Sequence, residues 1–144
     1  MSEKIIQDIK SFNRFYTRAM GLFNLYTDKS AYSATEALIL FQISTHEFCT
    51  AAYLSNFFLL DKSYMSRILK HFEKKGLIEK KVSKEDRRIY HIELTKAGGD
   101  VLNLLADKAS LNVQSMIDGI SEEEIEVLID SMKKIEKVLY PNIN

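Results

Sequence analysis

Apolar residues recur along most of this chain at steps of three and four, the spacing of helices that bury one stripe. The first run extends from about Glu3 to Tyr26, with Ile5, Ile9, Phe12, Tyr16, Met20 and Phe23 as its stripe and Ile6, Phe15 and Leu22 widening it. That face is broader than one packing seam needs, so the helix is expected to pack on its own domain and on another chain. Ser33 and Glu36 have capping-box spacing and open a second helix through Leu38, Ile39, Phe41 and Ile43 to about His46. Thr50 can cap a short third helix, Ala51 to Phe58, and Leu59 and Leu60 turn tightly into a fourth. In that fourth helix Met65, Ile68, Leu69 and Phe72 form the buried stripe, while Ser63, Arg67, Lys70 and Lys74 share another, cationic face. Asp61 is placed as its N-cap, and Gly76 as the left-handed residue that closes it.

After Gly76 the period changes. Residues 77–82 and 89–94 are short and rich in β-formers, with Tyr90, Ile92 and Leu94 alternating with Ile89, His91 and Glu93. The polar stretch between them, SKEDRR at 83–88, makes the pair a hairpin. Two short helices followed by a hairpin form a winged helix-turn-helix pattern. Thr95 then opens a fifth helix (Val101, Leu102, Leu105, Ala109, Val113, Met116) that ends at Gly119. Ser121 and Glu124 are spaced as a second capping box, before a last helix with Ile125, Leu128, Ile129, Met132, Ile135 and Leu139 in its stripe. The lone proline, Pro141, leaves the preceding helices uninterrupted. The expected fold is mainly α with a small β-hairpin wing: a winged helix-turn-helix part at about 33–96, within a single domain 1–144. Residues of about 1–30 and 97–144 form a helical dimerisation part. Their apolar surface exceeds what a small winged core can cover, so a two-fold homodimer is expected.

Composition sharpens this in three ways. At 144 residues the chain is one domain able to bury about two-thirds of its unfolded surface. A single cysteine, Cys49, excludes an intramolecular disulfide framework. No apolar run approaches the roughly 18–20 residues of a membrane span, and MSEKIIQDIK lacks a signal-peptide core, so a cytoplasmic protein without membrane contact is expected. The net charge of zero conceals a polarity: residues 61–96 carry eleven Lys/Arg against six Asp/Glu, and residues 97–144 four against nine. A polyanionic partner therefore belongs on the middle third. With no glycine-rich phosphate loop and no nucleophile elbow, neither an enzyme nor a cofactor is expected.

In this order and at these separations, SATEALIL at 33–40, LDKSYMSR at 60–67, FEKKGLI at 72–78, DRR at 86–88 and LTKAG at 94–98 resemble the MarR family of winged-helix transcriptional regulators over nearly the whole chain. FNRFYTR at 12–18 and YMSRIL at 64–69 further resemble the regulator half of proteins that fuse such a domain to an acetyltransferase; no acetyl-transfer activity is expected of these 144 residues. The resemblance implies a homodimer on a pseudo-palindromic double-stranded DNA operator. It also implies a repressor released by a small molecule held between the dimerisation and DNA-binding parts.

The chemistry of the basic third fits that expectation. Arg67 can pair bidentately with guanine O6 and N7, while Ser63, Tyr64 and Ser66 offer hydroxyls to base edges or phosphates. Lys62, Lys70 and Lys74 suit phosphates, and His71 falls within reach of them. In the wing, Asp86 can orient Arg88, which can enter a narrow minor groove, and Arg87 can meet a phosphate. Thr50 and Ser55 are further phosphate candidates. Aromatic residues Phe12, Tyr16 and Phe23 could line an effector crevice, and equally could be core. Two alternatives stand beside DNA binding: a winged-helix module used only for protein contacts, and a redox- or metal-responsive regulator using Cys49 and His46. Against the second, Cys49 has no cationic neighbour in sequence to lower its pKa, and no matching second ligand cluster accompanies His46. A buried cysteine and no metal are expected.

Overall fold

The computed structural model describes residues 1–22 and 31–144. Its elements follow in the order α1 (Glu3–Ala19), α2 (Ala34–Thr45), α3 (Ala51–Phe58), α4 (Lys62–Lys74), β1 (Ile78–Val82), β2 (Tyr90–Leu94), α5 (Lys96–Ile117) and α6 (Glu122–Ile143). The ends of these elements are set by side chains that satisfy free backbone groups. Ser33 and Glu36 form a complete capping box on α2. Thr50 Oγ1 accepts from Tyr53 N at 3.1 Å to open α3, and Asp61 Oδ2 accepts from Ser63 N and Tyr64 N at 3.0 and 3.4 Å to open α4. The turn between α3 and α4 requires a left-handed residue, and Leu59 takes it at φ 55°.

Two expectations at helix ends need correction. Glu124 N donates to Ser121 Oγ at 3.2 Å, but no bond returns from Glu124 to the Ser121 N–H, so α6 opens on half a capping box. The first helix ends at Ala19 rather than near Tyr26. Gly21 adopts φ 71° just beyond it, and Asn112 of α5 donates to the Met20 carbonyl at 2.6 Å, so that carbonyl is capped from outside the helix. Phe23, expected on the same stripe, lies outside the described residues. Pro141 sits in the last turns of α6, where it removes one hydrogen bond without ending the helix.

The core belongs to the winged part. Ala37, Ile39, Leu40 and Ile43 of α2, Leu54 of α3 and the Met65, Ile68, Leu69 and Phe72 stripe of α4 meet Cys49, Leu77, Ile78, Ile92 and Leu105 in one cluster. Phe72 is fully buried, and a side chain of that size contributes about 1.5–3 kcal/mol by leaving water. β1 and β2 are antiparallel, with Ile78 opposite Leu94, Lys80 opposite Ile92 and Val82 opposite Tyr90. The register also sets Glu79 against Glu93, a like-charge pair. Lys81 offsets it, its Nζ lying 2.8 Å from Glu93 and 3.7 Å from Glu79. The hydrogen bond to Glu93, then the charges of Glu93 and Glu79, hold its ammonium above the ordinary lysine value. On its other edge β2 takes one backbone bond, Ile92 N to Cys49 O at 2.7 Å, from the loop before α3.

Outside this core the helices bury little. Neither α1 nor α6 contains a buried residue, and Ile5, Ile9, Phe12 and Phe15 on α1 and Val127, Ile135, Val138 and Leu139 on α6 are all more than 40 % exposed. An open apolar groove of about 490 Å³ runs between them, lined by Ile9, Phe12, Ile135, Val138 and Leu139 among others. Among the described residues no helix is long and apolar enough to cross a membrane.

The joint between the winged part and α5 is unusually close. A Cβ placed on Gly98 would lie only 2.0 Å from the Leu77 carbonyl oxygen, whereas one on Gly76 meets nothing within 4 Å. Gly76 needs its glycine for conformation alone, at φ 74°. Gly98→Ala is therefore expected to cost roughly 2–3 kcal/mol through overpacking against backbone, and Gly76→Ala about 1 kcal/mol through left-handed strain. Chemical denaturation of both variants checks the order; equal losses would contradict it.

Candidate nucleic-acid interface

The buried stripe of α4 fixes which way its cations point. Because Met65, Ile68, Leu69 and Phe72 face the core, the stripe of Ser63, Arg67, Lys70 and Lys74 is turned outward, and all four are exposed. At 3.6 residues per turn Lys62 and Ser66 flank this stripe on one side and Tyr64 and His71 on the other. All are exposed as well. The Arg67 guanidinium carbon lies 5.9 Å from the centroid of the Tyr64 ring. His71 is drawn toward α2, its Nε2 4.0 Å from Glu36 Oε2, which places it at the edge of the cationic face rather than within it. Lys75 leaves that face altogether, its ammonium 4.7 Å over the Tyr32 ring.

The hairpin tip is organised by two short polar side chains. Ser83 Oγ accepts from the backbone N–H of Glu85 and Asp86 at 3.3 and 3.4 Å, and Asp86 Oδ1 accepts from Arg88 N at 3.0 Å. The same carboxylate takes Arg88 in a fork: Nε donates to Oδ1 and Nη2 to Oδ2, both at 3.1 Å. The Arg88 side chain is nonetheless 90 % exposed. These bonds from the Arg88 side chain, then from its backbone, hold the Asp86 carboxyl below the usual carboxylate range. The sign is that of a depressed acid, so the pair persists at neutral pH and opens only as pH falls through that lowered value. Arg87 is exposed beside it.

The structure also supplies residues that the sequence reading passed over. Lys80 and Tyr90, on the hairpin face turned toward α3, line a cleft of about 350 Å³ with Thr50, Ala51 and Arg88. The signal was the period of two: Lys80 shares a face with Ile78 and Val82. Ser55 is buried, and so is withdrawn from any phosphate, while Thr50 Oγ1 is engaged as the α3 cap.

The side chains of the redox and metal alternative point elsewhere. Cys49 is fully buried, and burial pushes its thiol up to about 11. His46 stacks on Tyr53, ring centroids 3.7 Å apart. Of the aromatic trio, Phe12 and Tyr16 stack with centroids 5.8 Å apart, and Phe12 lines the groove between α1 and α6.

The model of the MarR family matches residues 32–90, which run from the start of α2 to the beginning of β2. The organic hydroperoxide resistance transcriptional regulator of Bacillus subtilis (strain 168) is similar at 31% identity over 113 residues, 78% of this chain and 71% of that protein. The chain belongs to the MarR family. The HTH-type transcriptional regulator MhqR of the same organism is 24% identical over 135 residues, 94% of this chain and 93% of its own. Among solved structures, Streptococcus pneumoniae FabT in complex with DNA superposes with a TM-score of 0.73 at 24% identity, covering 96% of this chain and 97% of that one. A mutant MarR from E. coli complexed with operator DNA gives 0.74 at 20% identity, covering 92% and 95%. At these identities the structural likeness speaks for the fold, the winged helix-turn-helix with its helical flanks. As a MarR-family member the chain is a sequence-specific DNA-binding regulator and not an enzyme.

A thiol reacts as its thiolate, so a buried Cys49 with a raised pKa should be inert. In the native protein near neutral pH Ellman's reagent is expected to label it far more slowly than in the unfolded chain. Equal rates would return Cys49 to the list of sensor residues.

Proposed function

We propose that this chain is a homodimeric repressor that reads a pseudo-palindromic operator and releases it when a small molecule binds. In this reading α4 lies in the major groove. Arg67 reads guanine with Tyr64 beside it, Ser63 and Ser66 offer hydroxyls, and Lys62, Lys70 and Lys74 meet phosphates, with His71 at the margin. The wing follows the adjacent minor groove, where Asp86 presents Arg88 and Arg87 reaches the backbone. Residues of about 33–96 form the DNA-binding part, and those of about 1–30 and 97–144 the dimerisation part. The observation that carries the proposal is the pairing of an outward cationic stripe on α4 with a pre-oriented, exposed arginine at the hairpin tip.

Dimerisation is supported by the apolar faces of α1 and α6, in which no described residue is buried. A face of this size in water is covered by a second copy at the least cost in new contacts. The release half is supported by the stacked Phe12 and Tyr16 beside that groove, which lies between two helices of the dimerisation part rather than at its junction with the DNA-binding part. A small apolar molecule inserted there would shift α1, and with it the spacing of the two winged parts. A cytoplasmic setting goes with this function, since the operator is met there.

The rival is a winged module that docks only on proteins, through its acidic last third. Duplex binding separates the two. Arg67→Ala should lower preference for the selected site by about 5- to 150-fold, the worth of a bidentate base contact. Arg88→Ala should weaken binding with less change in preference among GC-rich sites, and parent affinity should fall as salt rises. If both folded variants bind duplex as the parent does, the protein-docking alternative takes the place of this one.

A further inference from the structure

We propose that Tyr64 is a positioning residue for base readout: its ring attracts the Arg67 guanidinium without accepting from it and leaves the N–H donors free for a guanine. The proposal rests on the DNA-reading function above and assigns Tyr64 a role through its ring rather than its hydroxyl. Tyr64 and Arg67 stand three residues apart on α4, neighbours on the helix surface. Arg67 Cζ lies 5.9 Å from the ring centroid, within the range of a cation–π contact. Among the described residues the Arg67 side chain makes no hydrogen bond and no ion pair. The backbone that carries the ring is fixed, because Asp61 Oδ2 takes the N–H groups of Ser63 and Tyr64. Tyr64 stays 40 % exposed, on the flank of the cationic stripe.

The wing shows what the alternative partner would do. Arg88 is held by a carboxylate that occupies its Nε and Nη2 donors. That arrangement suits a narrow groove, where charge and shape are read. Reading guanine O6 and N7 needs an edge with two free donors, and a carboxylate beside Arg67 would compete for it. An aromatic ring offers no oxygen to take those donors and does not compete in the same way. The two arginines are thus restrained by different chemistry suited to different grooves.

The test uses duplexes selected by the parent protein from a random pool, and the same duplexes with each G·C pair replaced in turn by A·T. The readout is the ratio of affinities, with affinity for an unrelated duplex reporting intact folding. Arg67→Ala identifies the base pair whose ratio collapses. At that pair Tyr64→Phe should keep the parent ratio, whereas Tyr64→Leu and Tyr64→Gln should each lose about two- to fivefold of it, with unrelated-duplex affinity and salt dependence unchanged. If Arg67→Ala leaves every ratio unchanged, the base-reading assignment itself is wrong. If Arg67→Ala has its effect but Tyr64→Leu and Tyr64→Gln keep the ratio, the positioning role is wrong. It is wrong too if Tyr64→Phe loses as much as they do, which would place the hydroxyl on the DNA.

Discussion

Two residues, Gly76 and Leu77, hold the parts of this molecule at fixed angles. The Leu77 N–H closes α4 by donating to the Phe72 carbonyl at 2.9 Å, and its own carbonyl accepts from Thr95 N at 2.9 Å. Thr95 Oγ1 donates to the Gly76 carbonyl at 2.6 Å, then accepts from Gly98 N at 3.1 Å to cap α5. Gly98 sits so close to Leu77 that no side chain fits between them. The end of the cationic helix, both strands of the wing and the first turn of the long α5 therefore converge on one stretch of backbone. Two of these bonds join backbone to backbone and two run through the short Thr95 side chain, so little slack separates α5 from α4 and the wing. The far part of α5 is tied in turn to the end of α1 through Asn112. A continuous chain of hydrogen bonds thus links the helical flanks to the end of the cationic helix.

The molecule separates its chemistry by region. The middle third carries the excess of cations and the last third the excess of anions, so a formally neutral chain still presents a basic surface to a polyanion. Within the basic third, each cation is distinguished by what touches it. Lys75 lies over the Tyr32 ring and Lys81 is taken by two glutamates, Arg67 lies beside Tyr64, and Lys70 and Lys74 face outward. The apolar faces of α1 and α6 form the second region, and no residue of either helix is buried among the described residues.

Much of the fold was legible because its boundaries are written in capping residues. Ser33, Thr50, Asp61 and Thr95 each begin a helix where the spacing placed one, and Gly76 closes α4 in the left-handed conformation. The Asp86–Arg88 pairing was legible too, since two residues of opposite charge at that separation in a turn can meet. What escaped depends on contacts between distant segments. The early end of α1 is set by Gly21 together with Asn112, ninety-two residues from Met20, and no local pattern announces that bond. His71 was placed by its sequence neighbours on the DNA-facing side, but Glu36 of another helix draws it to the edge. Lys80 lies on the alternate face of β1, away from the hairpin tip, and only the packing of the hairpin on the start of α3 brings it beside Thr50 and Ala51. Left-handed Phe48 and Leu59 bracket α3, and neither residue type signals that conformation.

The central claim is that two copies of the α4 face and its wing grip one duplex together. Hydroxyl-radical footprinting on a selected duplex tests this most directly. Two related blocks of protection, centred about 10 base pairs apart along the helix and fading together as salt rises, are the predicted result. A single block, or protection that ignores salt, would contradict it.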